Sequence, residues 1–220
     1  MLVGLMATGC ATVRGPQQSQ MRTIGAASVV DLATAGELLL TGGGSPSLRI
    51  TAGKNVISHL TSDVRGDRLT LGSDGSVHDF GTVRYDLVLP AARVVELSGS
   101  GTVQAKSPSA LHQLLLPGSG EIRVDGLQAE HLTVNLSGSG LVTVAGSATR
   151  QLVSIDGSGR YSADGLASQD AQVTIGGSGS AAVTASRTLT ATISGSGTIT
   201  YRGNAVVRST VTGSGSVVRR

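Results

Sequence analysis

The sequence predicts an all-β protein in which parallel strands stack as a β-helix, or β-solenoid. The tripeptide Gly-Ser-Gly occurs seven times from residue 99 onward, at steps of 19, 20, 19, 20, 18 and 18 residues. A period of about 20 residues held over several copies is typical of repeat architectures whose units stack on one another. The apolar residues are mostly Val, Leu, Ile and Ala, with only 2 % aromatics, and β-branched side chains suit a stacked interior.

The region before the repeats consists of short extended segments separated by turn signals. Strands are predicted at Glu37–Thr41, Leu48–Thr51, Arg68–Leu71 and Val83–Leu89, the last of them closed by Pro90. No window in this region shows a convincing helical periodicity. We therefore expect residues 22–94 to form irregular strands and residues 95–220 to form regular coils of one domain covering 22–220.

Apolar residues flank each tripeptide with period two. Two places before it stand Leu97, Leu116, Leu136, Ile155, Ile175, Ile193 and Val211; two places after it stand Val103, Ile122, Val142, Tyr161, Ala181, Ile199 and Val217. Each unit is therefore predicted to be a strand, a sharp corner and a second strand. Two such strands and two turns account for 18 to 20 residues, which closes one coil. A tandem of antiparallel hairpins also fits the strand count, but like residues recurring in columns favour parallel stacking.

The glycines of the tripeptides are predicted to be structural corners. Either a positive φ or a close approach between coils would exclude a Cβ at these positions. The predicted corners are Gly99, Gly101, Gly118, Gly120, Gly138, Gly140, Gly157, Gly159, Gly177, Gly179, Gly195, Gly197, Gly213 and Gly215. A second, looser turn is predicted at Asp125–Gly126, Ala145–Gly146, Asp164–Gly165 and Arg202–Gly203.

The first residues resemble a bacterial lipoprotein signal. A short apolar stretch ends in Ala7-Thr8-Gly9 directly before Cys10, which is the single cysteine of the chain. In such signals the peptide is cleaved ahead of the cysteine, which is then acylated, so Cys10 is the predicted lipid-attachment site. Residues 1–21 are predicted to be signal peptide and tether, with Arg14–Gln20 as the polar tether. No acidic residue follows at the sorting position, which favours the outer membrane.

Composition and spacing argue against several kinds of site. The net charge is only +3 without a basic run or interleaved aromatics, so no nucleic-acid partner is predicted. The four histidines, His59, His78, His112 and His131, fall in no metal spacing, and no Gly-Ser-Gly lies in a phosphate-binding motif. No metal, cofactor or catalytic residue is predicted. The threonines are scattered along the sequence, so no flat threonine array is expected.

The residues 85–101, Tyr-Asp-Leu-Val-Leu-Pro through Leu-Ser-Gly-Ser-Gly, resemble the bacterial auto-transporter adhesin head GIN domain family. The closing units from Ile193 to Gly203 and from Val211 to Val217 resemble it too, and the likeness covers residues 22–220. The resemblance implies an exported, often lipid-anchored protein with a right-handed solenoid. It implies no assigned ligand.

We therefore expect a non-catalytic structural or adhesive protein of the cell envelope, in membrane contact only through its lipid anchor, with an unidentified protein or surface ligand as partner. One alternative is a carbohydrate-active β-helix enzyme, which would need clustered carboxylates on one face. Glu121, Arg123 and Asp125 are predicted to point outward on one strand, two coils from Arg160, and to form a cross-strand ion pair. The other alternative is a periplasmic sensing or scaffold domain that binds a partner by strand addition at the last coil.

Overall fold

The computed structural model describes residues 15–76, 78–108 and 110–220. Their secondary structure is almost entirely strand, with one single-turn helix, α1, at Lys54–Ile57. No described helix has the length and apolar character needed to cross a membrane. The strands before the long coils are β1 Gln17–Arg22, β2 Val29–Leu32, β3 Glu37–Thr41, β4 Ser47–Gly53, β5 Leu60–Arg65, β6 Arg68–Ser73, β7 Arg84–Val88, β8 Val94–Glu96, β9 Thr102–Lys106 and β10 Gln113–Leu116. The remaining strands are β11 Glu121–Leu136, β12 Leu141–Ile155, β13 Arg160–Ile175, β14 Ser180–Gly195, β15 Thr198–Arg202, β16 Val206–Gly213 and β17 Ser216–Arg219.

The strands form a parallel β-solenoid of about seven turns, which confirms the predicted fold class. Segments that precede a corner pair in one ladder, in the order β5, β6, β2, β8, β10, β11, β12, β13, β14 and β16. Segments that follow a corner pair in a second ladder, in the order β1, β4, β7, β3, β9, β11, β12, β13, β14, β15 and β17. The solvent side of the first ladder is called face A below, and that of the second ladder face B.

The N-terminal region is more regular than the sequence suggests. Strands β2 and β3 already make one coil, which lies between the coil of β6 and β7 and the coil of β8 and β9. The coil that comes second along the chain (β6 and β7) therefore stacks on one side of the first coil (β2 and β3). The third coil (β8 and β9) stacks on its other side. The antiparallel strands β1, β4 and β5 close this end of the solenoid.

Residues 17–20 of the predicted tether belong to this closing structure. Strand β1 pairs antiparallel with β4 from the contact of Gln17 with Gly53 to that of Arg22 with Leu48. The tether prediction is wrong for these residues. Their polar composition reflects an exposed outer strand, because every β1 side chain except that of Arg22 is exposed. The signal peptide and Cys10 lie outside the described residues.

The aliphatic columns of the sequence form a continuous core. Leu97, Leu116, Leu136, Ile155, Ile175 and Ile193 are all buried one above another, as are Val103, Ile122, Val142, Tyr161, Ala181 and Ile199. Each buried aliphatic side chain contributes about 1.5–3 kcal/mol. Only the last coil departs from the pattern, since Val211 is 42 % exposed and Val217 is half-buried. The core therefore runs the length of the solenoid and thins at its C-terminal end.

The second, looser turn is a bend inside a continuous strand. Strands β11, β12, β13 and β14 each run through it, and the pairing register shifts at this point, for example between Val124 and Leu127. The prediction of two separate strands is therefore wrong in these coils. Gly126 and Gly146 turn the chain with positive φ values of 72° and 134°, a conformation that lets the strand bend without leaving the ladder.

Stacking explains the corner glycines. A Cβ built on Gly138 would overlap the carbonyl oxygen of Gly118 in the neighbouring coil, and one on Gly118 would overlap that of Gly99. Of the fourteen corner glycines, only Gly195 and Gly213 have positive φ. The tripeptide is therefore required mainly because coils approach closely at this edge.

Candidate interaction surfaces

Face A gathers hydroxyl and amide side chains into aligned columns. Along the ladder, register partners stack in the order Asn135, Ser154, Thr174, Thr192 and Thr210. The neighbouring column on the same face contains Thr133, the 42 % exposed Leu152, Gln172 and Thr190, in that order. Neighbouring strands lie about 4.8 Å apart, so the five polar groups of the first column repeat at that spacing, whereas Leu152 interrupts the second column. We call the eight polar side chains of the two columns the hydroxyl strip.

Most of the strip has no protein partner. Within the described residues, the side chains of Thr174, Thr192, Asn135 and Gln172 make no hydrogen bond to protein, whereas Ser154 Oγ donates to Asp156 Oδ2 at 3.4 Å. The columns are held in place from below by the buried residues Val134, Val153 and Val173. The strip therefore presents ordered donors and acceptors to solvent. The threonines scattered in sequence are brought together by the coil period.

Toward the N-terminal end, face A carries a pair of carboxylates. Asp31 and Glu96 are register partners on adjacent strands, and Arg68 lies beside them. Arg68 Nη1 is 2.7 Å from Glu96 Oε2 and 3.8 Å from Asp31 Oδ2. Ser98 Oγ donates to Asp31 Oδ1 at 2.8 Å, and Asp31 is only 8 % exposed. The hydrogen bond to Glu96 raises the pKa of Arg68, so this guanidinium remains a fixed cation.

A similar cluster occurs on face B, where Arg84 lies between Glu37 and Asp86. Its Nε donates to Asp86 Oδ1 at 2.9 Å, and Gln104 Nε2 donates to Glu37 Oε1 at 3.1 Å. The hydrogen bond with Asp86 raises the pKa of Arg84. In both clusters one guanidinium is ion-paired with two carboxylates, an arrangement that stabilises adjacent strands.

A third charged cluster borders the hydroxyl strip. Asp170 accepts two hydrogen bonds from Arg187 and one from Thr188 Oγ1 at 2.6 Å, while Arg150 Nε lies 4.0 Å away. These hydrogen bonds, that of Arg187 first, hold the pKa of Asp170 well below its usual value. Two arginines on one carboxylate leave this edge of face A positively charged. With Gln172 and Thr190 they line a shallow groove of about 300 Å³.

A comparison with known protein families identifies the family of this chain. Residues 28–205 match the family described as "Putative auto-transporter adhesin, head GIN domain". The chain belongs to this head GIN domain family. No curated protein matches the sequence.

Solved structures similar to this head GIN domain share its fold. A "putative adhesin" from Bacteroides fragilis superposes with a TM-score of 0.87 at 20 % identity, covering 93 % of this chain and 97 % of the other. A "putative adhesin" from Parabacteroides merdae gives 0.70 at 23 % identity, covering 94 % and 97 %. A "putative lipid binding protein" from Parabacteroides distasonis gives 0.73 at 20 % identity, covering 94 % and 97 %. At these identities the likeness shows the fold.

A buried polar network centred on Gln151 lies in the interior of the head GIN domain. Gln151 is fully buried in a column otherwise formed by Leu132, Ala171 and Leu189. Tyr161 Oη donates to Gln151 Oε1 at 3.1 Å, and Gln151 Nε2 donates to Ser168 Oγ at 2.8 Å. Burial raises the pKa of the Tyr161 phenol far above its usual value. The buried polar groups of this network therefore find their hydrogen-bond partners within the protein.

The charged residues singled out in the sequence lie where predicted, but their pairing differs. Glu121 and Arg160 are two coils apart in one outward column of face B. The expected cross-strand ion pair is wrong, because Arg123 Nη2 contacts Glu121 Oε1 at 3.0 Å within the same strand. Among the described residues, no group of three or more His, Cys, Asp or Glu could hold a metal ion.

Two features of the head GIN domain were not found from the sequence. The corner of the first coil, residues 33–36, contains Thr34 and Gly36 where later coils have two glycines, so it carries no Gly-Ser-Gly signal. The second is the cluster of Asp31, Arg68 and Glu96. Along the chain, Arg68 is 28 residues from Glu96, and Asp31 is 67 residues from its hydrogen-bond donor Ser98. The three residues meet only because β2 pairs with β6 on one side and with β8 on the other.

Proposed function

We propose that this head GIN domain is a non-catalytic, exported module of the cell envelope that binds a surface ligand through the hydroxyl strip on face A. Support comes from family membership and from a rigid solenoid that holds unpartnered hydroxyl and amide groups in register. The observation that carries the proposal is the column Asn135, Ser154, Thr174, Thr192 and Thr210. A repeating array of hydrogen-bonding groups suits an extended or repetitive ligand better than a small molecule.

Adhesion is tested by substituting residues of the hydroxyl strip with arginine, whose large charged side chain would block the strip. The full chain carrying Thr174→Arg and Thr192→Arg is compared with wild type for binding to printed polysaccharides and immobilised extracellular matrix proteins. The matched control is Thr143→Arg with Ser162→Arg, register partners that point outward on face B. Loss of binding only in the face A variant supports the proposal. Equal binding by all three proteins would contradict it.

The second part of the proposal is lipid anchoring at Cys10 in the outer membrane. Expression in a bacterial host with labelled palmitate is expected to label the wild type and leave Cys10→Ser unlabelled. Protease treatment of intact cells then distinguishes a surface-exposed domain from a periplasmic one. Absence of label on the wild type would remove the anchor from the proposal while leaving the binding test intact.

A carbohydrate-active enzyme is the competing function, and the pair of Asp31 and Glu96 is the observation that favours it. Two features oppose a catalytic role: Arg68 is ion-paired with both carboxylates, and Asp31 is buried and accepts hydrogen bonds from Ser98. We expect Asp31→Asn to lower the unfolding free energy by about 1–3 kcal/mol through its lost charged hydrogen bonds. Polysaccharide turnover by wild type that Glu96→Gln abolishes would establish the enzyme instead.

A further inference from the structure

Among the described residues, the last coil of the solenoid has an open edge. Strand β16 pairs with β14 and β17 pairs with β15, and within the described residues neither has a strand on its other side. Ser216 N and Arg220 N donate back to Gly197 O and Tyr201 O at 3.0 and 2.9 Å. Since backbone groups alternate direction along a strand, the N–H groups of Val217 and Arg219 point toward the open edge.

This edge carries more exposed large hydrophobic side chains than the opposite end of the solenoid. Among the described residues, six large hydrophobic side chains are exposed, and three of them, Val206, Val211 and Val218, lie on β16 and β17. The outer strands at the opposite end, β1 and β5, carry one each, Met21 and Val64. An exposed edge with apolar side chains is a template for pairing with another strand.

The edge is also strongly positive. Residues 171–220 contain five arginines and no aspartate or glutamate. Arg202 lies 3.6 Å from Asp164, and Arg219 donates to Gly203 O and Asn204 Oδ1 at 2.9 Å. Arg208 and Arg220 have no ion-pair partner among the described residues. Residues directly opposite on paired strands interact, so an added strand would gain from carrying acidic side chains here.

We propose that the open edge of β16 and β17 binds an extended acidic segment of another polypeptide by strand addition. Main-chain hydrogen bonds to the free N–H and C=O groups would hold the segment, and Arg208 and Arg220 would select for carboxylates. A second copy is a poorer occupant, because pairing two identical edges would bring the arginines of both copies together. This site lies at the end of the solenoid and does not depend on the hydroxyl strip.

The test uses the full chain and fluorescent peptides of alternating valine and glutamate or alternating valine and lysine, measured by anisotropy. The glutamate peptide is expected to bind and the lysine peptide to bind about tenfold more weakly. Val217→Pro, which removes an N–H aimed at the edge, is expected to abolish binding, while Val217→Ala, which keeps it, retains binding. Arg208→Glu with Arg220→Glu reverses the peptide preference, whereas Arg49→Glu with Arg65→Glu, at the other end, leaves it unchanged.

Thermal unfolding of each variant separates loss of binding from loss of fold. The Thr174→Arg and Thr192→Arg variant is expected to bind the glutamate peptide as wild type does, so a failure of the adhesion test leaves this one intact. Equal binding of both peptides, or binding by a folded Val217→Pro variant, overturns the proposal. A dimer seen by light scattering that Val217→Pro dissociates would assign the edge to a second copy and likewise overturn it.

Discussion

At the level of single residues, the distance between coils decides which side chains are tolerated at the corners. The carbonyl oxygen of each first corner glycine points at the α-carbon of its counterpart in the next coil, as Gly157 and Gly177 show: a Cβ on Gly177 would lie 2.5 Å from Gly157 O. Real Cβ atoms do not approach an oxygen so closely, and both partners here are backbone. The corner therefore resists substitution because the main chain of two coils would have to separate.

Gly138→Ala tests this steric requirement. Its Cβ would overlap Gly118 O, so we expect the unfolding free energy to fall by about 1–3 kcal/mol, as for other overpacked sites. Gly25→Ala is the control, because nothing lies within 4 Å of a Cβ at that position. Urea denaturation measures both variants. An unchanged midpoint for Gly138→Ala would show that the coils can separate at little cost.

Asp170 makes the stability of the folded protein depend on pH in the acidic range. Its pKa is lowered in the folded protein by hydrogen bonds from Arg187 and Thr188, so the ionised form stabilises the fold. This stabilisation is complete above the unfolded-state pKa of about 3.9 and is lost as the pH falls toward the lower folded pKa. Asp170→Asn is therefore expected to destabilise the protein near pH 7 and to differ less from wild type near pH 3.

Urea denaturation at the two pH values measures this difference. Asp63→Asn is the control, because Asp63 has no ion-pair partner within the described residues. A gap between wild type and Asp170→Asn that stays constant down to pH 3 would remove Asp170 from the acid dependence.

At the level of elements, the two ends of the solenoid are closed differently. The first coils are covered by the antiparallel strands β1, β4 and β5, whereas, in the part of the chain that the structure describes, β16 and β17 each pair on one side only. In β16 all side chains but that of Val207 are exposed, while β13 buries about every second one. Strand stability should therefore decline toward the C-terminal end.

Hydrogen exchange measures this gradient. We expect the amides of β12 and β13 to exchange most slowly, because these strands are paired on both sides over a buried core, and those of β16 and β17 to exchange fastest among the coils. The control is β9, a short strand paired on both sides, which should resemble the central coils. Uniform protection from β9 to β17 would show instead that the coils open only together.

The sequence predicts the coils and misses the ends because their signals differ in kind. Corners such as Gly138-Ser139-Gly140 recur with the coil period, and their aliphatic flanks fix which side faces the core. The closing strand β1 has no such period, and its pairing with β4 depends on chain reversal between distant segments. The hydroxyl strip was also missed, because Thr174 and Thr192 become neighbours only when the register is known.

At the level of the whole molecule, charge is divided unequally along the solenoid axis. The last fifty residues carry five basic and no acidic side chains, which leaves twelve basic and fourteen acidic residues in 1–170, a net of −2 there. Because successive coils stack in chain order from β8 onward, this division becomes a positive C-terminal end. Such a field orients the molecule on an anionic surface and is screened by salt.

Cation-exchange chromatography of the full chain tests this orientation. Arg208→Glu with Arg220→Glu and Arg49→Glu with Arg65→Glu change the net charge by the same amount, but only the first pair lies at the positive end. If the C-terminal end makes the contact, the first variant elutes at clearly lower salt than the second, because local rather than total charge sets the adsorption free energy. Coincident elution of the two variants would mean that the molecule adsorbs without a preferred end.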